Sequence, residues 1–258
     1  MVKTHDDKIK KQFSLQAAHF NDKDRPLASA EYLQWVVGRL DLNPDFVVLD
    51  VAAGTGLLGR AIAPRVQRVV AIDLTPEMIR QGIREAAKAG ITNIVFEQGR
   101  AEKLPYPDDS FDMVVTRLSL HHFADPHPAI REMVRVCRPG KQVGIMDMVS
   151  PDDATLVELY NRLERLRDPS HTRCLTLTEL HMALQNAGLT MVQVVSRNIE
   201  VNLKPWLDLT GAGPEVRRIV QEELTEELKG KRITGMRPFE KDGQLMFTQT
   251  WTTAVGVK

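Results

Sequence analysis

Between Asp45 and Val149, short β-branched runs alternate with segments of helical period: FVVLDVA, LGRAIAPR, RVVAID, PEMIRQGIREAAKAG, NIVFEQG, DMVVTRL, PAIREMVRVCRPG and QVGIMDMV. Strand, helix, strand, repeated, predicts a mostly parallel sheet with helices on both faces, the doubly wound α/β arrangement. Runs such as FVVLDVA and DMVVTRL carry almost no polar face, which suits interior strands that meet water on neither side. Thr75-Pro76-Glu77 supplies an N-cap, a proline at the first helical position and an acid in the first turn. Gly90, and later Arg138-Pro139-Gly140, end successive helices.

Additions flank this unit. Helices are expected over 8–20 and 27–40 ahead of it, and over 153–166, 178–187 and 215–228 behind it, with strands over 191–202 and 245–257. The last strand, QLMFTQTWTTAVGVK, alternates for part of its length, as suits an antiparallel strand added to a parallel sheet. The expected fold is therefore α/β and Rossmann-like: a doubly wound, seven-stranded, mostly parallel sheet with an antiparallel C-terminal strand and added N-terminal helices. Residues 1–44 read as an N-terminal helical cap and 45–150 as the cofactor-binding core. Residues 151–258 read as acceptor-side lid helices and the final strands of one compact domain.

Charge narrows the partners. Lys+Arg and Asp+Glu number 34 each, so the net charge is zero, and no basic block offers a nucleic-acid footprint. The start, MVKTHDDKIKKQF, has no apolar run behind its charges, and no later segment stays apolar long enough to cross a bilayer, so a cytoplasmic protein is expected. Cys137 and Cys174 lie far apart without metal-site spacing and read as reduced thiols. No metal is expected, and monomer and homodimer both stay open.

Gly54-Thr55-Gly56-Leu57-Leu58-Gly59 follows a strand and opens a helix, the G-x-G-x-x-G pattern of nucleotide cofactors. Two features choose among them. Asp50 ends the strand before the loop, where a carboxylate opposes a pyrophosphate but favours the ammonium and sulfonium of S-adenosylmethionine. The clear alternation also stops near Val149, leaving one mononucleotide-binding half where a dinucleotide needs two. Asp73 ends the next strand and is placed to accept from both ribose hydroxyls of either cofactor. A nicotinamide-dependent oxidoreductase is the first rival, and a non-catalytic S-adenosylmethionine-binding scaffold the second.

VVLDVAAGTG, VVAIDLTPEMI, QGRAEKLPYPDDSFDMVVTRLSLHHFADP and MVRVCRPGKQV, in that order, resemble the motifs of class I S-adenosylmethionine-dependent methyltransferases. The branch they resemble is the ubiquinone/menaquinone-biosynthesis C-methyltransferase-like, or type 11, branch. The resemblance implies that Asp50, Ala52, Gly54, Thr55 and Gly56 surround the methionine part and that Asp73 takes the ribose. It implies that Leu74 and Met78 flank the adenine, that Ala101 and Glu102 pass its edge, and that Arg117 ends a strand beside the methionine moiety. Met78 can equally be plain core. Two departures stand out. Ala52 occupies the place of a glycine, and Arg100 that of an aspartate which contacts the adenine amino group; an arginine has only donors, so adenine is left to main-chain contacts.

His121 and His122 are the candidate proton acceptors; the other reading of the pair is that it orders a turn beneath the cofactor. Tyr160, Arg167, His171 and Arg173 fall where an acceptor would bind, with Arg173 as a candidate anion holder and surface charge as the alternative reading. Phe13 and Phe20 either close over the methionine end or dock the first helix on the core. The expected reaction is methyl transfer to a small-molecule acceptor, with a quinone-like or other small aromatic metabolite implied by the resemblance, and S-adenosylhomocysteine as product. A base is needed only if the acceptor must lose a proton.

Overall fold

The computed structural model describes residues 4–17 and 29–258. Five strands, β1 (Val47–Val51), β2 (Arg68–Asp73), β3 (Ile94–Gln98), β4 (Phe111–Arg117) and β5 (Cys137–Val149), run parallel. With β6 (Thr190–Asn202) and β8 (Gln244–Val257) the sheet order is β3-β2-β1-β4-β5-β8-β6, and β8 runs antiparallel to both its neighbours. The helices are α1 (His5–Gln16), α2 (Ala30–Val37), α3 (Leu57–Ile62), α4 (Pro76–Lys88), α5 (His127–Val136), α6 (Ala154–Arg167), α7 (Leu177–Asn186), α8 (Leu203–Leu209) and α9 (Pro214–Leu228).

Alternate strand residues part into two apolar clusters, one per face of the sheet. Val48, Val69 and Met113 join Val36, Leu58 and Ile62, while Leu49, Val70 and Val114 join Ile130, Met133 and Leu180. The mostly parallel α/β sheet and its antiparallel C-terminal strand match the sequence expectation. Three details differ from it. The first helix starts at His5 rather than at residue 8, because Thr4 and Asp7 form a reciprocal capping box; its expected continuation to 20, the start of the second helix from 27, and Phe20 lie outside the described residues. An eighth strand, β7 (Phe239–Lys241), folds onto β8 through Asp242-Gly243, both at positive φ (52° and 71°), the conformation of a two-residue hairpin. The short helix α8 stands where no element was expected.

Parallel strands end on one edge of the sheet, so the residues that follow β1, β2, β4 and β5 converge there. That edge carries the candidate site.

Candidate active site

The loop after β1 is shaped by left-handed backbone. Ala52, Gly54 and Gly56 have φ of 52°, 58° and 68°. A Cβ on Gly56 would stand 2.7 Å from the Phe96 ring, so only glycine fits there. Ala52 holds the same conformation with a side chain, which explains why a glycine suits that place. Asp73 fastens the loop to β2: its Oδ2 accepts from the Gly54 N–H at 2.7 Å and its Oδ1 from the Thr75 N–H at 2.8 Å. Thr75 occupies the N-cap of α4, but its own side chain makes no capping bond. Burial raises the Asp73 carboxyl above its ordinary value, against the lowering pull of the Thr75 and Gly54 donors.

Asp50 sits behind this loop, 1% exposed. Its Oδ2 accepts from the Gly59 N–H at 2.8 Å, while Oδ1 is buried without a hydrogen-bond partner. Burial pushes its pKa up to about 7, against the lowering effects of the Gly59 bond and of Arg117. Ala52, Gly54, Asp73, Leu74, Arg100, Ala101, Glu102 and Arg117 line a narrow cleft of about 80 Å³. Thr55 and Met78 are buried and, like Asp50 and Gly56, do not form its wall. Burial lowers the Arg117 pKa, while Tyr32, Asp50 and Asp147 act to raise it. Arg100 pairs with Asp6 of α1 and stands 3.6 Å from Glu102.

α1 lies across the cleft. Asp6, Ile9 and Phe13 form part of its wall, Ser14 Oγ donates to Glu77 at 2.8 Å, and His5 Nε2 reaches the His122 carbonyl at 2.6 Å. Small-ligand sites usually enclose roughly 300–1,000 Å³.

A second cavity, about 310 Å³, adjoins the first and shares Phe13, Leu118 and His122 with it. Its wall is largely apolar, with Met148, Val201, Trp206, Leu209, Met246 and Trp251, and its polar members include His121, Arg167, Asp168 and Gln249. His121 is 5% exposed, and its Nδ1 lies 2.5 Å from Asp147 Oδ1. Asp147 also accepts from the N–H groups of Leu120 (2.7 Å), Met148 (2.7 Å) and Ser119 (3.1 Å), which fixes its carboxylate. Burial alone would lower the His121 pKa, but the charge and hydrogen bond of Asp147 carry it above its ordinary value. With Nδ1–H donating to Asp147, Nε2 is the basic nitrogen. His122 differs: burial and the positive charge of His121 push it down to about 3, so it stays neutral near pH 7. Its ring packs at 4.8 Å and edge-on against Phe13.

The other residues singled out from the sequence scatter. Tyr160 is fully buried and off the chamber wall. His171 contacts Asn161 Oδ1 at 3.1 Å, burial keeps it neutral, and it too lies off that wall. Arg173 turns to Glu179 at 2.7 Å rather than to the chamber. Asp147, Trp206, Trp251 and Gln249, which line or support the chamber, are not among the residues expected from the sequence. Of these only Asp147, an acid near the end of β5, carried a readable signal.

A model described as methyltransferase domain matches residues 49–145. The uncharacterized methyltransferase YcgJ of Bacillus subtilis is 32% identical over 232 residues, which cover 90% of this chain and 91% of YcgJ. Its crystal structure superposes with a TM-score of 0.82 at 30% identity, covering 88% of this chain and 98% of that one. The ubiquinone/menaquinone biosynthesis C-methyltransferase UbiE of Ectopseudomonas mendocina is 30% identical over 162 residues, 60% of this chain and 63% of UbiE.

Proposed function

Because this chain belongs to the methyltransferase family that includes YcgJ, we propose that it moves a methyl group from S-adenosylmethionine to a small-molecule acceptor. The carrying observation is the shared wall: a glycine-turn cleft and a larger apolar chamber meet at Phe13, Leu118 and His122. The residues present fit the donor. The unpartnered Asp50 Oδ1 favours a cation nearby, and the left-handed loop leaves backbone open to close approach. Asp73 would take the ribose, Leu74 and Ala101 the adenine faces, and Arg117 the carboxylate end. S-adenosylmethionine supplies an already activated methyl on a sulfonium. The chain's tasks are to aim the acceptor atom across the shared wall and to keep water out.

His121 is the base in this reading. Its Nε2 takes the acceptor's proton, and Asp147 holds the ring and stabilises the charge that forms. His122 remains neutral and packs the junction with Phe13. In this division α1, the described part of 1–44 that lines them, caps both cavities, 45–150 holds the donor, and 151–258 builds the acceptor side. A quinone-like molecule is one candidate acceptor.

The test supplies methyl-labelled S-adenosylmethionine and a library of small metabolites and follows the label by mass spectrometry. Label in a small molecule with equimolar S-adenosylhomocysteine is expected; bound donor with no acceptor labelled would contradict the proposal.

A further inference from the structure

Arg100 stands after β3 where the family pattern has an aspartate, and a guanidinium offers no lone pair to the adenine amino group. The fold brings a carboxylate to that place from another element. Asp6, in the first turn of α1, meets the Arg100 fork with both oxygens: Oδ2 accepts from Nη1, and Oδ1 from Nη2 at 3.3 Å. Both residues belong to the wall of the narrow cleft, together with Gly99 and Ala101 of the same loop.

Local structure does not account for Asp6. Thr4 and Asp7 already form the capping box of α1, and an ion pair whose side chains are 29% and 46% exposed adds little to stability. α1 is held over the cleft without the pair, by Ser14 on Glu77 at 2.8 Å and by His5 on the His122 carbonyl at 2.6 Å. Of the other carboxylates on the wall, Asp73 is committed to the Gly54 and Thr75 N–H groups. Glu102 stands 3.6 Å from Arg100 Nε and lacks the two-point hold that fixes Asp6. A carboxylate has roughly four lone-pair directions, so the Arg100 fork leaves some of those on Asp6 for a further donor. Resting on the methyltransferase reading, we propose that Asp6, positioned by Arg100, accepts from the 6-amino group of the donor's adenine. The base-selecting carboxylate then comes from α1 instead of from the loop after β3. A 6-oxo purine would set carbonyl lone pairs against that charge.

The test titrates the full-length protein calorimetrically with S-adenosylhomocysteine and with S-inosylhomocysteine, which carries a 6-oxo group in place of the amino group. The wild-type protein is expected to bind the adenosyl ligand at least roughly tenfold tighter. Asp6→Asn offers an amide that can donate to the 6-oxo group, and is expected to cut the preference to about threefold or less by weakening the first ligand and strengthening the second. A merely structural role for Asp6 would weaken both ligands equally, complete loss included, and that outcome would overturn the proposal. So would an unaltered preference in Asp6→Asn, no preference in the wild-type protein, or a preference lost in Glu102→Gln but kept in Asp6→Asn. Silence from S-adenosylhomocysteine in the wild-type protein sinks the methyltransferase reading itself, whereas its binding with a preference that ignores Asp6 sinks only the α1 carboxylate.

Discussion

The narrow cleft is shaped by a left-handed backbone loop, whereas the larger chamber is gathered from side chains of distant elements. In the cleft, Ala52, Gly54 and Gly56 bend the chain, and Asp73 pins the bend to the neighbouring strand. In the chamber, Trp206 from α8, Met246 and Trp251 from β8, Met148 from β5 and Phe13 from α1 converge from distant parts of the sequence. A backbone cradle serves a constant ligand. Side-chain walls can change without disturbing it, as expected where one donor serves many acceptors.

If the division holds, His121→Ala strikes the chamber alone: turnover is expected to fall by roughly 10²–10⁴-fold while donor affinity is retained. Loss of donor affinity in steady-state and calorimetric assays would break the separation. The pH profile sharpens it. His121 must be neutral to take a proton, and its pKa is raised, so kcat is expected to rise with pH through a midpoint above the ordinary histidine value. Asp147→Asn removes the raising charge, so that midpoint is expected to move down along with a lower maximal rate.

Asp73→Ala strikes the cleft: donor binding is expected to weaken by about 1–3 kcal/mol through lost charged hydrogen bonds. Unchanged calorimetric affinity would place the ribose elsewhere. The smallest effect concerns stability. Ala52→Gly relieves a left-handed alanine and is expected to stabilise the fold by at most about 1 kcal/mol, read as a higher urea midpoint at unchanged slope.

The same contrast explains what the sequence disclosed. Asp50, Gly54 to Gly59 and Asp73 were readable because each sits at a strand end whose position follows from local periodicity. The sheet was readable for the same reason, down to the antiparallel β8. Asp147 was less visible: it pairs with His121 across a separation of 26 residues, and only the parallel pairing of β4 and β5 joins them. Trp206 stood in a segment with Pro205 and no long helical period, and it reaches the chamber through tertiary packing. Arg173 carried the right chemistry in the right segment, yet Glu179, supplied by the following helix, takes its guanidinium. The Asp242-Gly243 turn was a legible hairpin signal, but the three-residue β7 beside it is too short to show a period.

The most direct measurement is calorimetric titration of the purified protein with S-adenosylmethionine, S-adenosylhomocysteine and the nicotinamide dinucleotides. Micromolar binding of the adenosyl ligands alone, about −8 kcal/mol, is expected. Dinucleotide binding with silence from the adenosyl ligands would contradict the assignment of the cleft and make the chain an oxidoreductase candidate.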